Sequence, residues 1–214
     1  MTVLDRCLSA KFVLALLASL LIFPAGGFCM DPVSPTCEAN LSPAQIGLVL
    51  GWNNYSSIVF GHKYRSGRYL ARYKKYSYPY LYGFKLGREN MFDPDKHSLL
   101  AAAASGDYLL VEDTLITPSV SVGSEMYYAR NAEKDTVTEC EFNALFSKEL
   151  TGIMPYLGPA VKYAKLKAGG VSEDKWGSNL KTGLKFYTYP GVSYGVEFTL
   201  GRLGGWGLYF NNSW

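Results

Sequence analysis

Histidine is almost missing from this chain, and that scarcity narrows the chemistry first. His62 and His97 are the two it has. A Ser–His hydrolase needs its base within hydrogen-bond reach of the nucleophile and oriented by an acid. His97 lies in a polar stretch beside Asp95 and Ser98, and His62 in a strand-like segment near Ser56 and Ser57; neither spacing supplies that relay. Solvated or interfacial histidines are the default, with lipid hydrolysis as the alternative. Charge is scarce too, at 18% of residues with a net +3, and the Lys and Arg are scattered, so no nucleic-acid footprint is expected. Four cysteines show no zinc spacing. The apolar run from Phe12 to Phe23 falls short of the roughly 20 residues a spanning helix needs. Neither catalytic residue, metal nor cofactor is expected.

What is plentiful is tyrosine, with 17, and glycine, with 22, a pairing that suits an all-β protein with tight turns. The first residues stand apart. Arg6 and Lys11 precede the apolar run, and Pro24 with Ala25-Gly26-Gly27 follows it. That is the layout of a secretory signal peptide, expected over residues 1–27; a retained anchor is the alternative. Bulky Phe28 weighs against lipid attachment at Cys29. Cys7 would leave with the signal; Cys29, if it survives the cut, could close a small loop with Cys37. Cys140 falls on the apolar side of its strand, as a small hydrophobe would.

Residues 28–56 read as a lead-in, irregular or briefly helical. Ser42-Pro43-Ala44-Gln45 resembles a helix start, yet Ile46, Leu48, Leu50 and Trp52 alternate like a strand, and both readings stay open. From residue 57 to 214 the pattern is β. Ser57 to Tyr64 and Arg68 to Tyr76 flank a turn-like Arg65-Ser66-Gly67, and Pro79 to Arg88 puts Tyr80, Tyr82, Phe84 and Leu86 on one face. Met91 to Ser98 reads as a polar loop. Leu99 to Ala104 could be helical in isolation but leads into a strand-like Gly106 to Val111. Pro118 to Arg130, Thr136 to Lys148 and Pro155 to Lys167 follow, then three strands between Asn179 and Trp214. The expected fold is all-β: an antiparallel up-and-down transmembrane β-barrel, with eight strands favoured, the earliest segments being irregular, and ten if both span. The links near Ser77-Tyr78, Thr114 to Thr117, Thr151-Gly152 and Pro190-Gly191 look short, and Glu89 to His97, Asn131 to Asp135 and Ala168 to Ser178 longer. Outer-membrane barrels show that asymmetry.

Charge sorts with the same period. After Pro118 the polar register carries Glu125, Glu139, Glu141, Lys162, Lys181, Lys185 and Glu197, and the apolar register Val120, Val122, Met126, Phe142, Phe146, Leu157 and Val161. Lys148, Lys165 and Lys167 fall on the apolar side near strand ends, where a membrane interface tolerates them. A soluble sandwich would carry the same pattern turned inside out, so period alone leaves the sign open. In a barrel the inward acids and bases would pair across the lumen as a charge network and plug it. Tyr76, Tyr78, Tyr80 and Tyr82, and again Tyr187 and Tyr189, suit a headgroup girdle.

The stretches Pro155-Tyr156-Leu157-Gly158-Pro159-Ala160-Val161-Lys162-Tyr163 and Gly183 to Phe198 resemble the small outer-membrane β-barrel family that includes the OmpA transmembrane domain and OmpX-like proteins. The resemblance covers about Pro118 to Trp214. It implies an eight-stranded barrel inserted by the outer-membrane assembly machinery, with Leu208, Phe210 and Trp214 as the C-terminal insertion signal; Asn212 stands where another hydrophobe is usual. The family has no shared catalytic residues to carry over.

The expected function is therefore an integral barrel in the outer membrane of a Gram-negative-type bacterium. It would be a monomer with a plugged interior, with a structural or surface-interaction role. Its polar loops, Glu89 to His97 and Ala168 to Ser178 with Trp176, would meet surface partners or lipopolysaccharide, and its wall outer-membrane lipid. The alternatives are a lipid-modifying outer-membrane enzyme and a soluble secreted barrel binding a small ligand. Three Asn-x-Ser acceptors, starting at Asn40, Asn54 and Asn211, would matter only in a eukaryotic secretory protein.

Overall fold

A computed structural model describes residues 44–59, 62–93, 97–168, 171–189 and 191–213. The expected leader, the Cys29 and Cys37 pair and Trp214 lie outside them, as do the side chains of residues 54–64, His62 included.

Ten strands form one closed antiparallel sheet: β1 Ala44–Val59, β2 His62–Ser77, β3 Tyr80–Asp93, β4 Ser98–Val111, β5 Ser119–Arg130, β6 Thr136–Ser147, β7 Ile153–Ala168, β8 Val171–Tyr189, β9 Val192–Gly201 and β10 Gly205–Ser213. Each strand pairs with its sequence neighbours, and β1 closes the ring on β10. No helix occurs among the described residues.

Eight strands were the favoured expectation; ten form because the ambiguous N-terminal segments both span. The alternation at Ile46, Leu48, Leu50 and Trp52 is a strand, and from Gln45 to Asn53 it pairs with β2 on one side and β10 on the other. Leaving it irregular would have left two unpaired edges, which barrel closure removes. The barrel thus begins inside the segment read as a lead-in, and Ala44-Gln45 start a strand rather than a helix. Trp52 stacks on Trp206 directly opposite, ring centroids 4.1 Å apart, and so fastens the closing seam.

Arg65-Ser66-Gly67 is not a turn but the continuous body of β2, with a register shift at Arg65/Ser66. Its glycine is covered by the Phe92 ring: an added Cβ would sit 3.0 Å from Phe92 Cζ. Leu99 to Ala104 is strand, because its two edges pair with β3 and β5.

Link lengths also differ from expectation. At the rim where β1 starts and β10 ends, here the near rim, the links are 78–79, 112–118, 148–152 and 190–191. At the far rim they are 60–61, 94–97, 131–135, 169–170 and 202–204. No loop asymmetry exists. The polar stretch from Ala168 to Ser178 is largely strand: Tyr163 meets Trp176 and Lys165 meets Asp174 across the β7–β8 pair. Asymmetry lies in the strands instead. Pairing of β8 with β9 begins at Asn179, so the first eight residues of β8 rise above the rim with β7 alone. On β1 the residues after Asn53 likewise pair with β2 alone. The far rim is high at β1–β2 and β7–β8 and low at β9–β10. At the near rim Gly152 and Gly191 turn with φ of 77° and 90°, a conformation open to glycine at little cost. Lys148 reaches Asp113 at 2.6 Å and the Thr114 carbonyl, which fastens the longest link.

Candidate functional site

Alternation settles into one arrangement: charged side chains point into the lumen and apolar ones outward. Seven cations, Arg68, Arg72, Lys74, Lys85, Lys162, Lys181 and Lys185, and six carboxylates, Glu89, Asp107, Glu125, Glu139, Glu141 and Glu197, are buried inside. The outer wall carries Leu48, Phe84, Leu86, Leu100, Met126, Phe142 and Phe210, each about half exposed or more. This inverts a soluble sandwich. A buried charge is costly unless paired and hydrogen-bonded, and the near balance of signs is what allows so many in one interior.

One pair, Arg68 with Glu139, spans the lumen from β2 to β6; the others link adjacent or next-but-one strands around the wall. On β2, Arg68 forks onto Glu139 of β6 with contacts of 3.0 and 2.9 Å, and also faces Glu89 of β3 at 3.4 Å. Lys162 on β7 shares Glu139 at 2.9 Å. The fixed fork of Arg suits such a bidentate carboxylate contact. Glu89 accepts from Tyr127 OH at 2.6 Å and from Ser66 Oγ at 2.5 Å, while the Arg68 guanidinium lies 3.6 Å from the Tyr127 ring centroid. Nearby, Lys85 meets Glu125 at 2.6 Å. Lys181 on β8 bridges Glu141 at 2.6 Å and Glu197 at 3.1 Å, and Tyr156 OH donates to Glu197 at 2.8 Å. Towards the near rim Arg72 donates to Asn211, whose amide reaches Ser193 at 3.3 Å.

Above this ionic belt, at the far-rim ends of their strands, Met91, Leu99, Ala101, Ala129, Val137 and Leu166 form an apolar layer. Leu203, from the β9–β10 link, turns inward and joins it, 1% exposed. Its N–H donates to Asn179 Oδ1 at 3.3 Å, and its side chain occupies the space that a Cβ on Gly177 would need. A lumen layered in this way has side chains across it at both levels.

All seven residues expected in the interior network are buried there: Glu125, Glu139, Glu141, Lys162, Lys181 and Glu197 in the pairs above, and Lys185 with its ammonium 5.0 Å from the Tyr187 ring centroid. Sequence reading missed the buried charges on β2 to β4, namely Arg68, Arg72, Lys74, Lys85, Glu89 and Asp107; Lys74 Nζ and the Asp107 carboxylate have no hydrogen-bond partner among the described residues. The signal was present, since Arg68, Leu70, Arg72 and Lys74 keep one parity, but the false turn at Arg65-Ser66-Gly67 broke the count. Of the expected terminal signal, Leu208 and Phe210 point outward, 40% and 48% exposed. Cys140 shares the outward register of Phe142.

Outside the barrel wall, His97, Glu133 and Asp135 bring potential ligand atoms within 4.8 Å of one another on two far-rim links. His97 Nδ1 lies 3.8 Å from Glu133, and Asp135 accepts from Asn131 at 2.8 Å. Among the described residues no serine hydrogen-bonds to His97. No protein-family model matches the chain, and no curated protein matches it.

Proposed function

We propose that this protein is an integral outer-membrane β-barrel whose lumen is closed by its own ion pairs, and that it acts through the hairpins of its far rim. The observation that carries this reading is the inversion: charges inside, most of them paired, and an apolar wall outside. A soluble barrel would have to leave that wall against water, where large apolar patches are unfavourable. In a bilayer it faces hydrocarbon, and closure satisfies every strand edge that lipid could not.

Three further features support it. Tyr78, Tyr80, Tyr82 and Tyr108 gather outward at the near rim, where amphipathic rings suit headgroups. Outward charges sit at strand ends, as Arg88, Arg130, Lys165 and Lys167 do at the far rim. The far rim carries the raised β1–β2 and β7–β8 hairpins, which supports reading it as the external side. The residue 1–27 leader would deliver the chain for insertion by the assembly machinery. The resemblance to the small outer-membrane barrels remains part of this proposal, with ten strands in place of the eight it implied.

Membrane fractionation, followed by electrophoresis with and without boiling, tests the reading. A detergent-dependent protein whose mobility shifts on boiling is the expected result. Recovery of the mature protein in the soluble fraction without detergent defeats it. In planar bilayers the ion pairs predict no large stable conductance.

A further inference from the structure

The apolar wall is not uniform. On β4 the outward positions after Leu100 are Ala102, Ala104 and Gly106, while the strands on either side carry large groups: Phe84 and Leu86 on β3, Met126 and Tyr128 on β5. The result is a surface groove of about 540 Å³ with an alanine floor. It continues past Ala104, because nothing lies within 4 Å of a Cβ placed on Gly106. Six residues separate Leu100 from Gly106, about 20 Å of strand, or roughly 15 Å along the normal at a tilt near 40°. That is the depth of one leaflet of a hydrocarbon core about 30 Å thick.

The external mouth of the groove is basic. Leu100, at its head, has Arg88 as its β3 neighbour and Arg130 as its β5 neighbour, so two exposed arginines flank the slot on strands whose backbones lie about 10 Å apart. Among the described residues neither arginine has an ion pair. The nearby acids of the 131–135 link are engaged elsewhere, Glu133 with His97 and Asp135 with Asn131. Guanidinium forks match phosphate geometry, and a slot one strand wide matches a single acyl chain.

We propose that this groove holds one phosphorylated acyl lipid of the external leaflet, its chain over Ala102 and Ala104 and its phosphate between Arg88 and Arg130. The inference rests on the membrane-barrel reading and adds to it a specific lipid site.

Native mass spectrometry of the mature barrel, released from nanodiscs of phosphatidylcholine containing dipalmitoyl phosphatidic acid, tests it. One phosphatidic acid should stay bound, preferred roughly thirtyfold, from about a factor of five for each surface cation. The R88Q/R130Q variant should keep a lipid but lose the preference. A104F, and separately the milder A102L, should lose the lipid; the boiling-dependent mobility shift verifies that each has folded. Equal retention of both lipids by the wild type overturns the proposal, as does retention unchanged in A102L. Displacement by millimolar inorganic phosphate also overturns it, since it would make free phosphate the ligand, and so does a dimer that A104F dissolves, since it would put a second copy in the groove. A folded, detergent-dependent barrel without bound lipid defeats this inference alone, whereas a protein soluble without detergent defeats the membrane reading beneath it.

Discussion

Lys181→Met is the sharpest probe of the ionic belt, because one ammonium serves two buried carboxylates. Lys181 Nζ lies 2.6 Å from Glu141 and 3.1 Å from Glu197, and all three side chains are at most 4% exposed. At an effective dielectric near 20 the two contacts are worth about 6 and about 5 kcal/mol of attraction before desolvation is subtracted. Removing the cation forfeits that attraction and leaves two carboxylates buried together, Glu197 keeping only the Tyr156 hydroxyl at 2.8 Å. The net cost of breaking such a buried pair is about 3 to 5 kcal/mol. With a urea dependence near 2 kcal/mol per molar, the unfolding midpoint should fall by roughly 1.5 to 2.5 M. Tryptophan fluorescence of the reconstituted barrel in urea would measure it. Adding Glu141→Gln should restore much of the loss, since it removes the stranded partner rather than adding a contact. A shift no larger than that of Lys165→Met, an exposed lysine at the far rim, would refute the claim that the pairs hold the lumen.

Other consequences are independent of that one. Replacing Glu139 with Ala leaves Arg68 and Lys162 facing each other without their shared carboxylate, so planar bilayers should show a new conductance favouring anions, absent in the wild type. Trp206→Ala removes the stacked ring at the β1–β10 seam; the exciton couplet in circular dichroism should vanish, with a loss of about 1 kcal/mol beyond the buried area. Gly158→Val forces a side chain onto the Ala144 carbonyl and within 2.9 Å of Leu145 Cα, so β6 and β7 should fail to pair and no boiling-sensitive form should accumulate. Cys140 points outward beside Phe142; in a variant lacking Cys29 and Cys37, an apolar maleimide should label it in bilayers and a charged, water-soluble one should not.

Much of the barrel was legible in the chain. Strand faces from β5 to β10 follow directly from period-two alternation, and parity alone puts the acids and bases there on the register that the structure turns inward. The reading failed where turn chemistry competed with alternation. Arg65-Ser66-Gly67 and the polar stretch after Ala168 look like loops because Gly and polar residues weaken a local strand signal. In the structure both are held by pairing with neighbouring strands, and hydrogen bonds to residues far along the chain override local preference. The groove over Ala102 and Ala104 was hidden for a related reason. Its walls come from three strands, so no single segment shows it.

Alternation in the chain therefore determined that one face of the sheet would be charged and the other apolar, because successive side chains of a strand leave opposite sides. It could not say which face is inside. Closure decided that: pairing β1 with β10 joined the sheet with its charges on the concave side, where Arg68 meets Glu139 and Lys181 meets Glu141. Contacts such as Lys162 with Glu139 follow from neighbouring strands alone, whereas Arg68 of β2 reaches Glu139 of β6 because the sheet curves into a closed ring.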